Sequence, residues 1–207
     1  MTTTAARSRD TYHVGNLAPR LLGVAREMLE EVGPTKLSLR AIAERVGVSS
    51  AAAYHHYANR AELIEHLAAQ GFCELAHALA QRDANETGMR KLRDSSIVYL
   101  RFARSNPALY QLMFGPEFAT GEMIPALLTA REQAFGELKS TIAEVLQGDV
   151  QAPEVRRAAR AAWSFTHGLA SLVIHGILHI PEGSCEERFL DGTLHGFGHL
   201  FQIGGKE

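Results

Sequence analysis

The run from Leu37 to Leu67, LSLRAIAERVGVSSAAAYHHYANRAELIEHL, constrains this chain more than any other segment, because it carries the stop and start signals of two short helices joined by a turn. Ser38 is placed to cap a helix whose apolar residues Leu39, Ile42, Ala43 and Val46 recur at helical spacing. Gly47 ends that helix, since glycine enters the left-handed region past a helix C-terminus without a Cβ penalty, and Val48 can pack under the turn. Ser49 caps the next helix, expected over Ser50 to Tyr57. It is small-sided at Ala51, Ala52 and Ala53, then aromatic and polar at Tyr54, His55, His56 and Tyr57. This is the grammar of a DNA-binding helix-turn-helix, whose second helix enters the major groove.

The remaining sequence reads as helix nearly throughout, with no internal repeat and no βαβ alternation. Leu17, Leu21, Leu22, Ala25, Met28, Leu29 and Val32 form one wide apolar stripe over a first helix, Leu17 to Glu31, closed by Gly33-Pro34. A long connecting helix is expected from Arg60 to about Asp83, carrying Leu63, Ile64, Leu67, Ala68, Phe72, Leu75 and Leu79. Further helices are expected through Leu92 to Ala103, Leu109 to Phe114, Ala126 to Leu146, Glu154 to Leu178 and Glu186 to Phe201, separated by Gly- and Pro-bearing breaks. The predicted class is all-α. A flexible arm at 1–14 precedes a three-helix DNA-binding domain at 15–60 and a helical bundle at 61–207 for ligand binding and dimerisation.

The combination of Gly47-Val48-Ser49, Tyr54, His56, Tyr57, Asn59, Arg60 and Glu62-Leu63 resembles the TetR family signature, closely over Leu17 to Ala69 and more loosely beyond. The resemblance implies a homodimeric regulator, most simply a repressor released from a palindromic operator by a small apolar or aromatic molecule. It also implies that Tyr54 and His56 hydrogen-bond phosphates. Arg60 stands where that family commonly has a phosphate-binding lysine at a helix N-terminus, which itself favours anions. The full DNA-facing set expected is Ser38, Arg40, Ser49, Ser50, Ala51, Ala52, Tyr54, His55, His56 and Arg60, with Tyr57 in the core. The second helix lacks Arg, Lys, Asn and Gln, the side chains that read purines bidentately. Direct readout is therefore thin, and Arg7 and Arg9 in the N-terminal arm become candidates for a narrow minor groove.

Trp163 with His167-Gly168 resembles a Trp-His-Gly pattern found in one group of TetR-like C-terminal domains. Candidate ligand-binding residues in that half are Tyr99, Phe102, Tyr110, Met113, Phe114, Phe118, Trp163 and His167, with Met123, Phe135 and Phe165 as further aromatic or thioether positions. Arg101, Arg104 and Arg131 could clamp an anion if they face inward. Gly168, Gly176, Gly192, Gly196 and Gly198 weaken the last two helices yet permit close approach, which suits a dimer seam.

Net charge is −2, so phosphate attraction must come from local cations such as Arg20, Arg40 and Arg60 rather than from the whole chain. Cys73 and Cys185 lack close paired spacing, which fits a reducing compartment. With no apolar run of membrane-spanning length and no secretion-signal core, the expected location is the cytoplasm. The sequence shows no phosphate-binding glycine loop or nucleophile elbow, so no enzyme and no cofactor is expected. His175 and His179, and His195 and His199, fall one helical turn apart, a spacing that can chelate zinc. The competing readings are an activator or architectural DNA-binding protein, and a metal-responsive regulator using those C-terminal histidines.

Overall fold

The computed structural model describes residues 16–81, 87–118 and 122–203, and every α or 3₁₀ element among them is helical, with no strand. The chain divides into two compact units, Met1–Leu63 and Ile64–Glu207. The proposed arm at 1–14, with Arg7 and Arg9, lies outside the described residues.

The first unit contains α1 (Leu17–Val32), α2 (Leu39–Val46), α3 (Ser50–Tyr54) and the first turn of α4 (Arg60–Ala80). Its core takes Leu21, Ala25, Met28 and Leu29 from α1, Leu39, Ile42 and Ala43 from α2, and Ala53 from α3. These are the inward positions of each helical stripe, and fully burying a Leu or Ile contributes about 1.5–3 kcal/mol. Tyr57, 4% exposed, closes the core and donates its phenolic hydrogen bond to Ala18 O at 3.1 Å. Its hydroxyl thus keeps a partner while the ring is buried.

The second unit contains the rest of α4, then α5 (Gly88–Ser105), α6 (Pro107–Met113), α7 (Pro125–Leu146), α8 (Pro153–Ile174) and α9 (Glu186–Ile203). Three of these helices begin on proline, whose missing N–H costs nothing at the first helical position. Helices α5, α7 and α8 pack against one another, and α6 and α9 dock on α5. Ile97, Leu169 and Leu190 form one buried cluster, with Phe165, Phe189 and Leu194 around it. Outside it, Arg93–Asp191, Arg101–Glu187 and Arg104–Glu186 pair α5 with α9. These exposed pairs add register more than stability, since surface ion pairs are worth about 0–1 kcal/mol each.

One boundary differs from the sequence expectation with consequences for function. Helix α8 stops at Ile174 rather than Leu178, because Gly176 turns to φ 68° and Ile177 N–H folds back to Leu172 O at 2.9 Å. His175 is the cap and His179 lies outside the helix. The expected one-turn spacing of His175 and His179 therefore does not exist.

Candidate nucleic-acid interface and effector cavity

The helix-turn-helix is built by local hydrogen bonds that the sequence announces. Ser38 Oγ accepts Ala41 N–H at 3.2 Å, satisfying an orphan donor of α2. At its other end Gly47 is left-handed at φ 81°, and Val48 N–H returns to Ala43 O at 2.9 Å. Ser49 Oγ then accepts Ala52 N–H at 3.2 Å and starts α3. Glu31 and Arg45 join α1 to α2 through two contacts of 2.5 and 2.6 Å, and the Arg45 guanidinium holds the Glu31 carboxyl below its ordinary range.

Helix α3 ends at Tyr54, earlier than expected, and His56 N–H and Tyr57 N–H both turn back to Ala53 O. Ala53 faces the core, while Ala51, Tyr54, His55 and His56 are exposed and Ser50 and Ala52 are half-buried. Tyr54 is 51% exposed, so its ring is presented outward rather than packed. Arg40 on α2 and Arg20 on α1 are exposed.

Arg60 has a task that sequence reading did not assign. Its Nε donates to Leu37 O at 3.0 Å and Nη2 to Pro34 O at 2.6 Å, so it clamps the turn ahead of α2 to the start of α4. Beside it, Asn59 Oδ1 accepts Glu62 N–H at 2.9 Å and Glu62 Oε2 accepts Ala58 N–H at 2.6 Å, a reciprocal cap for α4.

In the second unit a cavity of about 30 Å³ opens between α4, α5, α7 and α8, lined by Phe72, Leu75, Leu79, Ser95, Ser96, Tyr99, Ala134, Phe135, Leu138, Trp163 and Thr166. That volume accommodates one or two waters, not an organic molecule, so a ligand must push the walls apart. Tyr99 and Trp163 from the expected set line it, as does Phe135. Tyr110, Phe114 and His167 stand immediately behind. Phe114 packs against Phe72, Tyr110, Trp163 and His167, with ring centroids 4.4–6.3 Å apart.

Behind the rings runs a polar cluster. Trp163 Nε1 donates to Tyr99 Oη at 3.2 Å, Tyr110 Oη lies 3.1 Å from Tyr99 Oη, and His167 Nδ1 lies 2.7 Å from Tyr110 Oη and 3.2 Å from Tyr99 Oη. Burial lowers the His167 pKa from 6.5, pushes Tyr99 up to about 12 and raises Tyr110 as well, so all three groups are neutral near pH 7. The other hydroxyls on the wall are engaged too. Ser95 donates to Lys91 O, Ser96 to Leu92 O, and Ser96 and Thr166 lie 3.3 Å apart. The polar atoms of the lining are therefore satisfied by the protein itself.

Several expected ligand contacts fall elsewhere. Phe102 and Met113 are buried outside the cavity lining, and Phe118 closes a 3₁₀ turn at Pro116–Phe118. Met113 and Leu109 instead sit against Gly71, where an added Cβ would come within 2.7 Å of the Met113 sulfur. Phe165 packs on Phe197 at 5.0 Å. Arg101 and Arg104 point to carboxylates of α9, while Arg131 lies 5.9 Å over the Phe72 ring and donates to the Met123 sulfur. The anion clamp considered for these arginines is not formed. Conversely, periodicity places Phe72, Leu75 and Leu79 on a connecting helix and does not mark them as cavity residues. Ser95, Ser96 and Thr166 carry no sequence signal at all, because small hydroxyl residues are common on helices.

Residues 21–67 match the description "Bacterial regulatory proteins, tetR family", and residues 92–197, more than half of the chain, match "Tetracyclin repressor-like, C-terminal domain". The chain belongs to the TetR family. Among curated proteins it is 31% identical over 100 residues to HTH-type transcriptional regulator Rv1816 of Mycobacterium tuberculosis, an overlap of 46% of this chain and 42% of that protein. It is 30% identical over 130 residues to nucleoid occlusion factor SlmA of Pasteurella multocida, covering 62% and 64%. The chain thus spans under half the length of the first of these relatives. Among solved structures, a protein of unknown function from Rhodococcus sp. RHA1 superposes with TM-score 0.76 at 29% identity, over 91% of this chain and 96% of that one. The putative regulatory protein SCO4313 shares the fold, with TM-score 0.70 at 22% identity over 93% and 98%. Both parts of the TetR plan, an N-terminal helix-turn-helix and a helical C-terminal domain, are therefore present as a transcription-regulator architecture. Among the described residues, no helix is long and apolar enough to cross a membrane.

Proposed function

We propose that this TetR-family regulator is a cytoplasmic homodimer that occludes a palindromic operator and is released by an uncharged aromatic or apolar effector. The observation that carries the DNA-binding part is the orientation of α3: it buries Ala53 and leaves Ala51, Tyr54, His55 and His56 open. The alanines suit contact with thymine methyls, and the Tyr54, His55 and His56 side chains suit phosphates, with Ser38 and Arg40 near the backbone. Since Arg60 is committed to two carbonyls, most of the register falls to Tyr54 and His56.

The cavity supports the effector class. Four aromatic rings form its wall, and its polar groups are already bonded within the protein, so no buried donor or acceptor demands a partner from the ligand. A charged molecule would lose its hydration with nothing in return. Binding must widen a ~30 Å³ space bounded by Phe72, Leu75 and Leu79, and α4 is one continuous helix from Arg60 to Ala80. An effector that prefers the widened form shifts the population, with coupling of about 1–3 kcal/mol expected. The dimer seam is assigned to α8 and α9: Leu172 and Phe197 are exposed on them, as are Ile177 and Leu178 just past the end of α8, and Gly168, Gly192 and Gly196 face open space.

Selection from a random DNA pool with the purified full chain tests this reading. Recovery of one inverted repeat, lost when Tyr54→Ala and His56→Ala are combined, is the expected result. Binding without sequence preference at any salt concentration would point to an architectural role and overturn the operator reading. For the effector, uncharged aromatic compounds should quench or shift Trp163, the single tryptophan, and weaken operator binding. A ligand that occupies the cavity yet leaves operator affinity unchanged would overturn the release mechanism.

A further inference from the structure

The second histidine pair survives where the first does not. His195 and His199 both lie on α9, both are exposed, and their Nε2 atoms converge to 3.0 Å with ring centroids 4.5 Å apart. Two imidazoles on one tetrahedral zinc have nitrogens about 3.3 Å apart, given Zn–N distances near 2.0–2.1 Å. Small side-chain rotations bring this pair to that separation.

Two nitrogens do not make a closed site, because structural zinc takes four protein ligands and catalytic zinc three. Within this chain, and among the described residues, there is no group of three or more His, Cys, Asp or Glu side chains suited to a metal. A second copy can supply what is missing. Gly192 and Gly196 share the outer stripe of α9 with His195 and His199, at successive i, i+3, i+4 and i+7 positions, and nothing lies within 4 Å of where their Cβ atoms would be. A facing helix can come closest there, at the level of the imidazoles. Two-fold symmetry then doubles the histidines to four, because an isologous contact presents the same patch from each side.

We propose that His195 and His199 form half of a zinc-class divalent metal site, completed across the dimer seam by the same two residues of a second copy. The inference rests on the α8–α9 homodimer proposed above. Four neutral imidazoles would bind one dication in the tetrahedral geometry zinc prefers, and metal bound only by the paired form stabilises the dimer by mass action.

The test uses the untagged full chain, stripped with chelator and then titrated with Zn²⁺, reading bound metal by elemental analysis and mass by light scattering. The expected result is one zinc per two chains and slower subunit exchange. His195→Ala and His199→Ala should each abolish this while the chain stays dimeric, and His179→Ala should bind as the parent does. Co²⁺ should give a tetrahedral nitrogen-ligand spectrum without a thiolate charge-transfer band. A dimer that binds no zinc, retains it in both substituted chains, or shows the thiolate band from Cys73 or Cys185 overturns the site and leaves the dimer standing. A chain that is monomeric with and without metal overturns the dimer reading and the site with it. Dimers that form only with zinc, and not in the two variants, support the site.

Discussion

Replacing Tyr110 by phenylalanine removes one oxygen from the polar cluster behind the cavity and leaves the packing volume almost unchanged. Tyr110 is 1% exposed, and its hydroxyl lies 2.7 Å from His167 Nδ1 and 3.1 Å from Tyr99 Oη. A neutral hydrogen bond contributes about 0.5–1.5 kcal/mol, and an orphaned buried acceptor costs about 1–3 kcal/mol. Full exposure of that penalty would give roughly 2 kcal/mol. Tyr99, however, is 3.2 Å from the same nitrogen and can redirect its proton there, so the single substitution should cost nearer 1 kcal/mol. Tyr99→Phe alone strips Trp163 Nε1–H of its acceptor and should cost about the same. In the double variant neither hydroxyl remains for His167, and the loss should exceed the sum of the two singles by about 0.5–1 kcal/mol. Trp163 sits inside the cluster and is the only tryptophan, so its emission during urea unfolding reports this unit directly. Protein concentration must be held constant, because any association of subunits would add to apparent stability. Strict additivity of the two substitutions, or a Tyr110→Phe effect below about 0.5 kcal/mol, would show that the cluster is not a shared hydrogen-bond network.

The same cluster predicts a pH dependence. Burial depresses the His167 pKa below its ordinary 6.5, so between the two values the unfolded chain binds more protons than the folded one. Its contribution is complete above pH 6.5 and is lost as pH falls through the lowered folded pKa; urea midpoints followed by Trp163 emission should fall over that window, and less steeply in His167→Gln. In the first unit, Gly47→Ala meets open space but must hold φ 81°, so strain alone should cost about 1–2 kcal/mol, visible as a lower thermal midpoint by circular dichroism. Ser49→Ala removes the acceptor for Ala52 N–H and should cost about 1 kcal/mol, with a matching fall in operator affinity by fluorescence anisotropy; Ser49→Thr should restore both.

What the amino-acid sequence by itself determined is the part of the molecule held by interactions reaching four or five residues. Ser38, Gly47 and Ser49 bond to backbone groups close by in the chain, and the structure shows each of these bonds. The helical stripes of α1 and α2 were legible for the same reason, since a 3.6-residue period is a local property. Tertiary structure alone decided the cavity. Its walls come from four helices, and whether Tyr99 lines it while Phe102 does not depends on which face of α5 meets α8. It also decided the fate of Arg60, whose partners Pro34 and Leu37 lie more than twenty positions earlier. The two histidine pairs show the division most plainly. Both have the same i, i+4 spacing in sequence, yet Gly176 unwinds the chain between His175 and His179, whereas His195 and His199 stay on one helix. Gly196 lies between the second pair and keeps a helical backbone, while Gly176 turns left-handed. Glycine permits either conformation, so the choice falls to the packing around it rather than to the residue.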